Sequence, residues 1–224
     1  MNIFVLDKDP RIAAQYHHDV HVRKMIVETC QLLANTLTPE ELALAPKTQT
    51  GNIRKHSHHN HPCSVWARHS AFNRAWLWLL GANLCMEYAY RFDKQHFCAD
   101  FINWYGANTA CTLMVSEWSY ANGSIVAVTG KLFELPLSLN LYISDQRAFE
   151  KLMEYLESTD GFKQCFGNQY SYLRSDDPVA SYRQYYSLSK RSFIRNGKEV
   201  KNTWTKRPVP FFMREPVELQ EVNL

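Results

Sequence analysis

No stretch of this chain approaches the roughly 20 consecutive apolar residues that a membrane-spanning helix requires. The opening residues, MNIFVLDKDPRIAAQYHHD, place acidic groups where a secretory signal would carry its apolar centre, which argues against a leader of that kind. An intracellular, cytoplasmic protein is therefore expected. Cys30, Cys63, Cys85, Cys98, Cys111 and Cys165 are scattered, and no two of them form a C-x-x-C pair. That spacing argues against a disulfide framework and for free thiols, several of them buried. Internal repeats are lacking, and the only biased segment is a histidine cluster at residues 56–61. Charge of one sign is also in short supply, with a net value of only +3.

What is present is the composition of a soluble globular protein: 46% hydrophobic and 21% charged residues in a chain of 224. That length suits one domain with a sizeable core. MNIFVLD reads as a short strand or extended segment ending at Asp9-Pro10, and residues 11–37 read as one helix stopped by Pro39. Residues 38–62 read as a loop. A long helix is expected from Ser64 to about Phe92, followed by a shorter helical piece through Trp104. The segments CTLMVSEW and SIVAVTGKLFEL flank Asn122-Gly123, a strong hairpin signal, and LSLNLYIS offers a third strand. Helices resume at DQRAFEKLMEYLEST and at DPVASYRQYYSLSKRSF. The fold class that follows is mainly α, a helical single domain with a small inserted antiparallel β-hairpin or sheet. Residues 1–104 would form the helical core with a cleft, 105–145 the inserted β element, and 146–224 the C-terminal helices and basic tail completing the same domain.

Two helical stripes carry unusual polar groups. His17, His21, Lys24, Glu28 and Gln31 recur at spacings of 4, 3, 4 and 3, with Asp19 near the helix start. His69, Asn73, Trp76, Asn83 and Glu87 form the second stripe. Facing each other, they would make a polar cleft in which shifted pKa values permit acid–base chemistry; apart, they would be solvated faces. Glu87 and Arg91 are spaced for an i,i+4 ion pair. The histidine run is a poor metal site, because His56, His58, His59 and His61 lie in one flexible stretch with no matching cysteine pair. Neither a metal nor another cofactor is expected. His61-Pro62 immediately precedes a helix, so His61 could stand at the cleft mouth.

From Lys190 to Arg207 the chain reads KRSFIRNGKEVKNTWTKR, with seven basic residues and one acid. Lys190, Arg191, Trp204, Lys206 and Arg207 suit contact with a nucleic-acid backbone, although a solvated tail has the same composition. Trp66, Trp76 and Trp204 could stack on bases or belong to the core. Tyr182, Tyr185 and Tyr186 recur at helical spacing, and packing explains them as well as function does.

The stretches DKDPRIAAQYHHDVHVRKMIVETCQLL, NHPCSVWARHSAFNRAWLWLLGANLCMEYAYRFDKQH and DPVASYRQYYSLSKRSF with WTKRPVPFF cover about half the chain. In them the chain resembles a phage-encoded pyrimidine-dimer DNA glycosylase-like family. Residues 105–160 have no counterpart and look like an insertion. The resemblance implies a helical domain that kinks duplex DNA, flips a nucleotide and breaks its glycosidic bond with the help of a carboxylate. Asp19 or Glu28 would supply that carboxylate. His21, His61 and Arg68 would line the site, Arg68 as a phosphate clamp. Lys24, His69, Asn73 and Trp76 would contact DNA or base. In the family the nucleophile is an N-terminal amine; here residue 2 is Asn2, which predicts retention of Met1 and argues against that amine, and water activated by Asp19 or Glu28 is the alternative nucleophile.

Three functions follow, in order. The first is a DNA-base-acting enzyme, an N-glycosylase-like hydrolase on a flipped pyrimidine of duplex DNA in the infected cell. The second is a phage DNA base-modification transferase. The third is a non-catalytic protein that binds nucleic acid or a host protein, with the inserted hairpin as a natural contact surface.

Overall fold

The computed structural model of the chain describes residues 1–109, 150, 152, 154 and 161–214. Its elements are α1 (Pro10–Tyr16), α2 (Asp19–Ala34), α3 (Pro39–Leu44), α4 (Pro62–His69), α5 (Ala71–Phe92) and α6 (Ala99–Asn108). There follow a 3-10 helix (Asn168–Leu173), α7 (Pro178–Ser189), β1 (Ser192–Arg195), β2 (Lys198–Lys201) and α8 (Phe211–Arg214). The fold is mainly helical with a small two-stranded antiparallel sheet, as expected for the class. The hairpin expected around Asn122-Gly123 lies outside the described residues. Of the helix expected at DQRAFEKLMEYLEST, Glu150, Leu152 and Glu154 are helical.

The centre of the fold is α5, which packs against α1, α2, α4 and α6. Residues 75–84, AWLWLLGANL, are all buried, so this helix is enclosed on every side in its middle turns. Each fully buried Leu or Trp there contributes roughly 1.5–3 kcal/mol of transfer free energy. Two glycines permit the close approaches. A Cβ at Gly81 would lie 2.7 Å from Thr29 Cγ2, and one at Gly106 would lie 2.2 Å from Trp78 Cζ2. The helices of α2 and α6 can therefore touch α5 nearly backbone to side chain.

Two helices read as continuous are each broken by a capping residue. Residues 11–37 divide at His17-His18, where the His18 ring accepts a hydrogen bond from the His21 amide at 3.2 Å and so caps α2. The second break falls at Ser70, whose hydroxyl accepts from the Asn73 amide at 3.0 Å and caps α5. Both caps satisfy amides that a helix start leaves unpaired. Residues 38–62, read as a loop, contain α3, whose Thr38 and Glu41 form a reciprocal capping box.

The C-terminal basic segment is folded too. Asn196 and Gly197 adopt φ values of 51° and 74°, the left-handed pair that a two-residue hairpin turn requires. They join β1 to β2 with Phe193 opposite Val200 and Arg195 opposite Lys198. The chain then returns to the helical core, where Trp204 is buried and donates from Nε1 to the Tyr16 carbonyl at 2.9 Å.

A buried charge relay anchors that return. The Arg91 side chain is 0% exposed and reaches Glu87 Oε2 at 3.0 Å, Asp19 Oδ1 at 3.2 Å, and the carbonyls of His17 and Gln15 at 2.7 and 2.8 Å. The expected Glu87–Arg91 pair is thus present, but in the interior. Arg207 closes the chain of charges by donating from Nε to Glu87 at 3.1 Å.

Candidate functional site

A cleft of about 630 Å³ lies where the N-terminus, α2, the start of α4, residues 162–167 and the end of α7 meet. Met1, Asn2 and Phe4 form one wall; Lys24 and Glu28 come from α2; His61 and Pro62 come from the start of α4. The opposite side is built by the run from Phe162 to Gly167, with Arg174, Tyr185 and Lys190. Its lining includes Lys24, Lys163, Arg174 and Lys190 against the single carboxylate Glu28.

Several of these side chains are held by local structure. Asn2 is the clamp of the N-terminal wall. Its backbone amide donates to Glu28 Oε2 at 2.9 Å, and its Nδ2 donates to the Cys165 carbonyl at 2.6 Å. Its Oδ1 accepts from the Ile3 amide and from the Tyr182 hydroxyl, each at 2.8 Å. Glu28 is 13% exposed and lies 3.4 Å from Lys24 Nζ one helical turn earlier. The Asn2 amide on one side and the Lys24 ammonium on the other hold its carboxylate at the cleft lining, the position a proton acceptor needs. His61 caps α4, its Nδ1 accepting the Cys63 amide at 3.2 Å, so the ring stays at the rim. Burial lowers the His61 pKa, the positive chain terminus and His58 lower it further, and Glu28 opposes them. Lys190 ends α7 with its Nζ 5.3 Å from the Tyr185 ring centroid. Burial lowers its pKa, followed by repulsion from Lys24, with Glu28 opposing.

Glu28, His61, Lys24 and Lys190 therefore share one cleft. The other expected site residues lie elsewhere. Asp19 is buried at the start of α2, where it accepts from Thr203 Oγ1 at 2.8 Å, Thr205 Oγ1 at 2.7 Å and Arg91. Burial raises its pKa, but the hydrogen bonds from Thr205, Thr203 and Arg91 prevail and hold it below the usual carboxylate range. With its oxygens occupied, Asp19 fastens the 203–205 segment to α2 and is not part of the cleft lining. His21 is 7% exposed, with its ring 4.7 Å from Phe4 and 4.1 Å from His18. Burial, then repulsion from His18 and His17, pushes its pKa well below the usual value. It belongs to an aromatic interior behind the cleft wall.

The DNA-contact expectations fare unevenly for the same reason, because packing claims several of these groups. Asn73 is buried and donates to the Trp66 carbonyl at 2.8 Å, joining α4 to α5. Trp76 is fully buried and donates to the Lys8 carbonyl at 2.7 Å, so it presents no face to a base. Trp204 is enclosed as described above. Arg191 donates to the Met213 carbonyl and to Ser187 Oγ, both at 3.0 Å. Lys206 binds Asp93 at 2.9 Å and Arg207 binds Glu87. Arg68 contacts His59 at 3.3 Å, and His69 is exposed at the end of α4; neither lines the cleft. Arg195, Lys198 and Lys201 on the hairpin are exposed, as are Arg191 and Lys206.

Lys163, Cys165 and Arg174 were not anticipated from the sequence. They belong to a segment with no periodicity, and only the fold brings them opposite α2. No family model, curated protein or solved structure matches this chain, so its chemistry has to be read from the cleft itself.

Proposed function

We propose that this cleft is the active site of a DNA-base-acting hydrolase, N-glycosylase-like, that takes a flipped pyrimidine nucleotide with Glu28 as its catalytic base. The observation that carries the reading is the placement of Glu28, oriented by the Asn2 amide, in a cleft whose other charged groups are cations. A space of about 630 Å³ suits a single nucleoside. Lys24, Lys163, Arg174 and Lys190 supply the positive field that phosphates on either side of a flipped nucleotide demand. Glu28 would take a proton from water as its oxygen attacks C1′. The bond from C1′ to the base breaks with its electron pair leaving on the base, which solvent then protonates. Phe4 and Tyr185, whose rings lie parallel at 6.0 Å, bring aromatic surface to the cleft lining for the extruded base. The resemblance in the DKDPRIAAQYHHDVHVRK and HPCSVWARH stretches points to the same class of reaction.

The test is a panel of labelled duplexes carrying a thymine dimer, uracil or hydroxymethyluracil, resolved on gels with and without hot alkali. Alkali-dependent breaks on at least one duplex are expected. Breaks without alkali would replace the water mechanism by attack of an amine. Binding without breaks on every duplex would refute the glycosylase reading and favour base modification or a non-catalytic DNA partner.

A further inference from the structure

We infer that His61, Cys63 and Cys165 form a zinc site whose remaining coordination position opens on the cleft. One ligand atom from each of the three lies within 4.8 Å of the others. No other grouping of three or more such side chains occurs among the described residues. The two sulfurs are 3.0 Å apart although 102 positions separate them in the chain. Tetrahedral zinc with bonds of about 2.3 Å to sulfur needs sulfurs about 3.7 Å apart, so the thiols have only to part slightly to admit the ion. Two thiolates and an imidazole are a donor set that selects zinc over the oxygen-seeking cations.

The surroundings fit such an ion on three counts. His61 Nδ1 accepts the Cys63 amide hydrogen at 3.2 Å, which holds the imidazole beside Cys63. Cys63 is fully buried, whereas His61 and Cys165 line the cleft, so the group is closed behind and open in front. That is the arrangement of a zinc site with an exchangeable water rather than a sealed structural one. The third count is electrostatic. The Cys63 thiol donates to the Cys165 sulfur, and Lys163 and Arg174 line the same cleft as Cys165. Zinc binding releases both thiol protons to solvent and leaves a neutral bis-thiolate centre, which the neighbouring cations tolerate. The absence of a local cysteine pair weighs against metal in the sequence, but folding supplies the missing partner from residue 165.

The ion is read without DNA, so the inference stands or falls independently of the glycosylase proposal. Untagged protein, purified reduced and free of chelators, would be titrated with zinc and, in parallel, with cobalt(II). One equivalent of zinc per chain is expected, together with the thiolate-to-cobalt charge-transfer absorption of two coordinating sulfurs. Cys165→Ser, at a partly exposed position, should lose at least tenfold in affinity and most of that absorption. Zinc should raise the Tm of the wild type but not of this variant. A triple variant, His56→Ala, His58→Ala and His59→Ala, should bind as the wild type does. Retention of full affinity in Cys165→Ser, loss of binding in the triple variant, or no zinc uptake by fully reduced protein would each overturn the assignment. So would a Cys63–Cys165 disulfide as the sole chemistry of the pair.

Discussion

Mild acid should destabilise this protein before its carboxylates titrate, because three histidines are buried together behind the cleft. His17, His18 and His21 are 0%, 2% and 7% exposed. The nitrogens His17 Nε2, His18 Nε2 and His21 Nδ1 have no hydrogen-bond partner among the described residues. Burial lowers the pKa of His17 to about 4 and that of His18 to about 3, with mutual repulsion adding to the shift for His18. The folded state therefore binds these protons less readily than the unfolded chain. Stability is complete above pH 6.5, falls as the pH drops below that value, and levels off only near pH 4 and pH 3 respectively. At pH 5 the difference of about 1.5 pH units corresponds to about 2 kcal/mol for each of the two residues. The sum of about 4 kcal/mol is a large share of the 5–15 kcal/mol that typically holds a domain together. Urea unfolding followed by circular dichroism at pH 7.5, 6 and 5 measures it. His17→Phe removes the titration and sacrifices the 2.7 Å contact of Nδ1 with the Ala13 carbonyl. His18→Asn keeps an acceptor for the His21 amide. Each variant should lose about 2 kcal/mol less than wild type between pH 7.5 and 5. Identical pH slopes in wild type and both variants would refute the reasoning, since carboxylates alone would then explain any acid loss.

Other consequences follow from the packing and the charge relay. Asp19→Ala leaves the fully enclosed Arg91 with one carboxylate fewer and releases Thr203 and Thr205, so a loss of about 3 kcal/mol in urea unfolding is expected. Gly106→Ala drives a methyl group to 2.2 Å from Trp78 Cζ2 and should cost about 1–3 kcal/mol, visible as a lowered Tm and altered tryptophan fluorescence. Lys198→Glu and Lys201→Glu on the exposed hairpin should weaken duplex binding without changing Tm. Neutralising one phosphate contact should reduce the slope of log affinity against log salt by about 1 in a fluorescence-anisotropy titration; an unchanged slope would remove the hairpin from the DNA interface.

The long apolar helix around residues 75–84 was legible because its composition admits nothing else. The Glu87–Arg91 pair was legible because helical spacing makes it. The two chain breaks were harder. A histidine at residue 18 and a serine at residue 70 interrupt otherwise helical sequences by capping the helix that follows, and capping is a property of geometry more than of composition. The hairpin at 192–201 was announced by Asn196-Gly197, the same dipeptide that marks residues 122–123, but seven basic residues across 190–207 drew attention to charge. Lys24 and Glu28 were recognisable as a polar stripe, whereas His17 and His21 on that stripe point into an aromatic interior. Asp19 and Glu28 look equivalent in sequence. Partners 184 and 186 residues away decide between them, since Thr203 and Thr205 occupy one and leave the other facing the cleft. The meeting of Cys63 with Cys165 is likewise a long-range fact that spacing cannot encode.

The central claim, that Glu28 is the catalytic base of the cleft, is tested most directly by Glu28→Gln. This variant keeps an oxygen that can accept the Asn2 amide hydrogen. Single-turnover base release would be measured for wild type and variant on the best duplex of the panel, with affinity and Tm determined alongside. A rate reduced by about 10²–10⁴-fold, with affinity and Tm close to wild type, is the predicted result. A variant that releases base at the wild-type rate would contradict the assignment and move the chemistry away from Glu28.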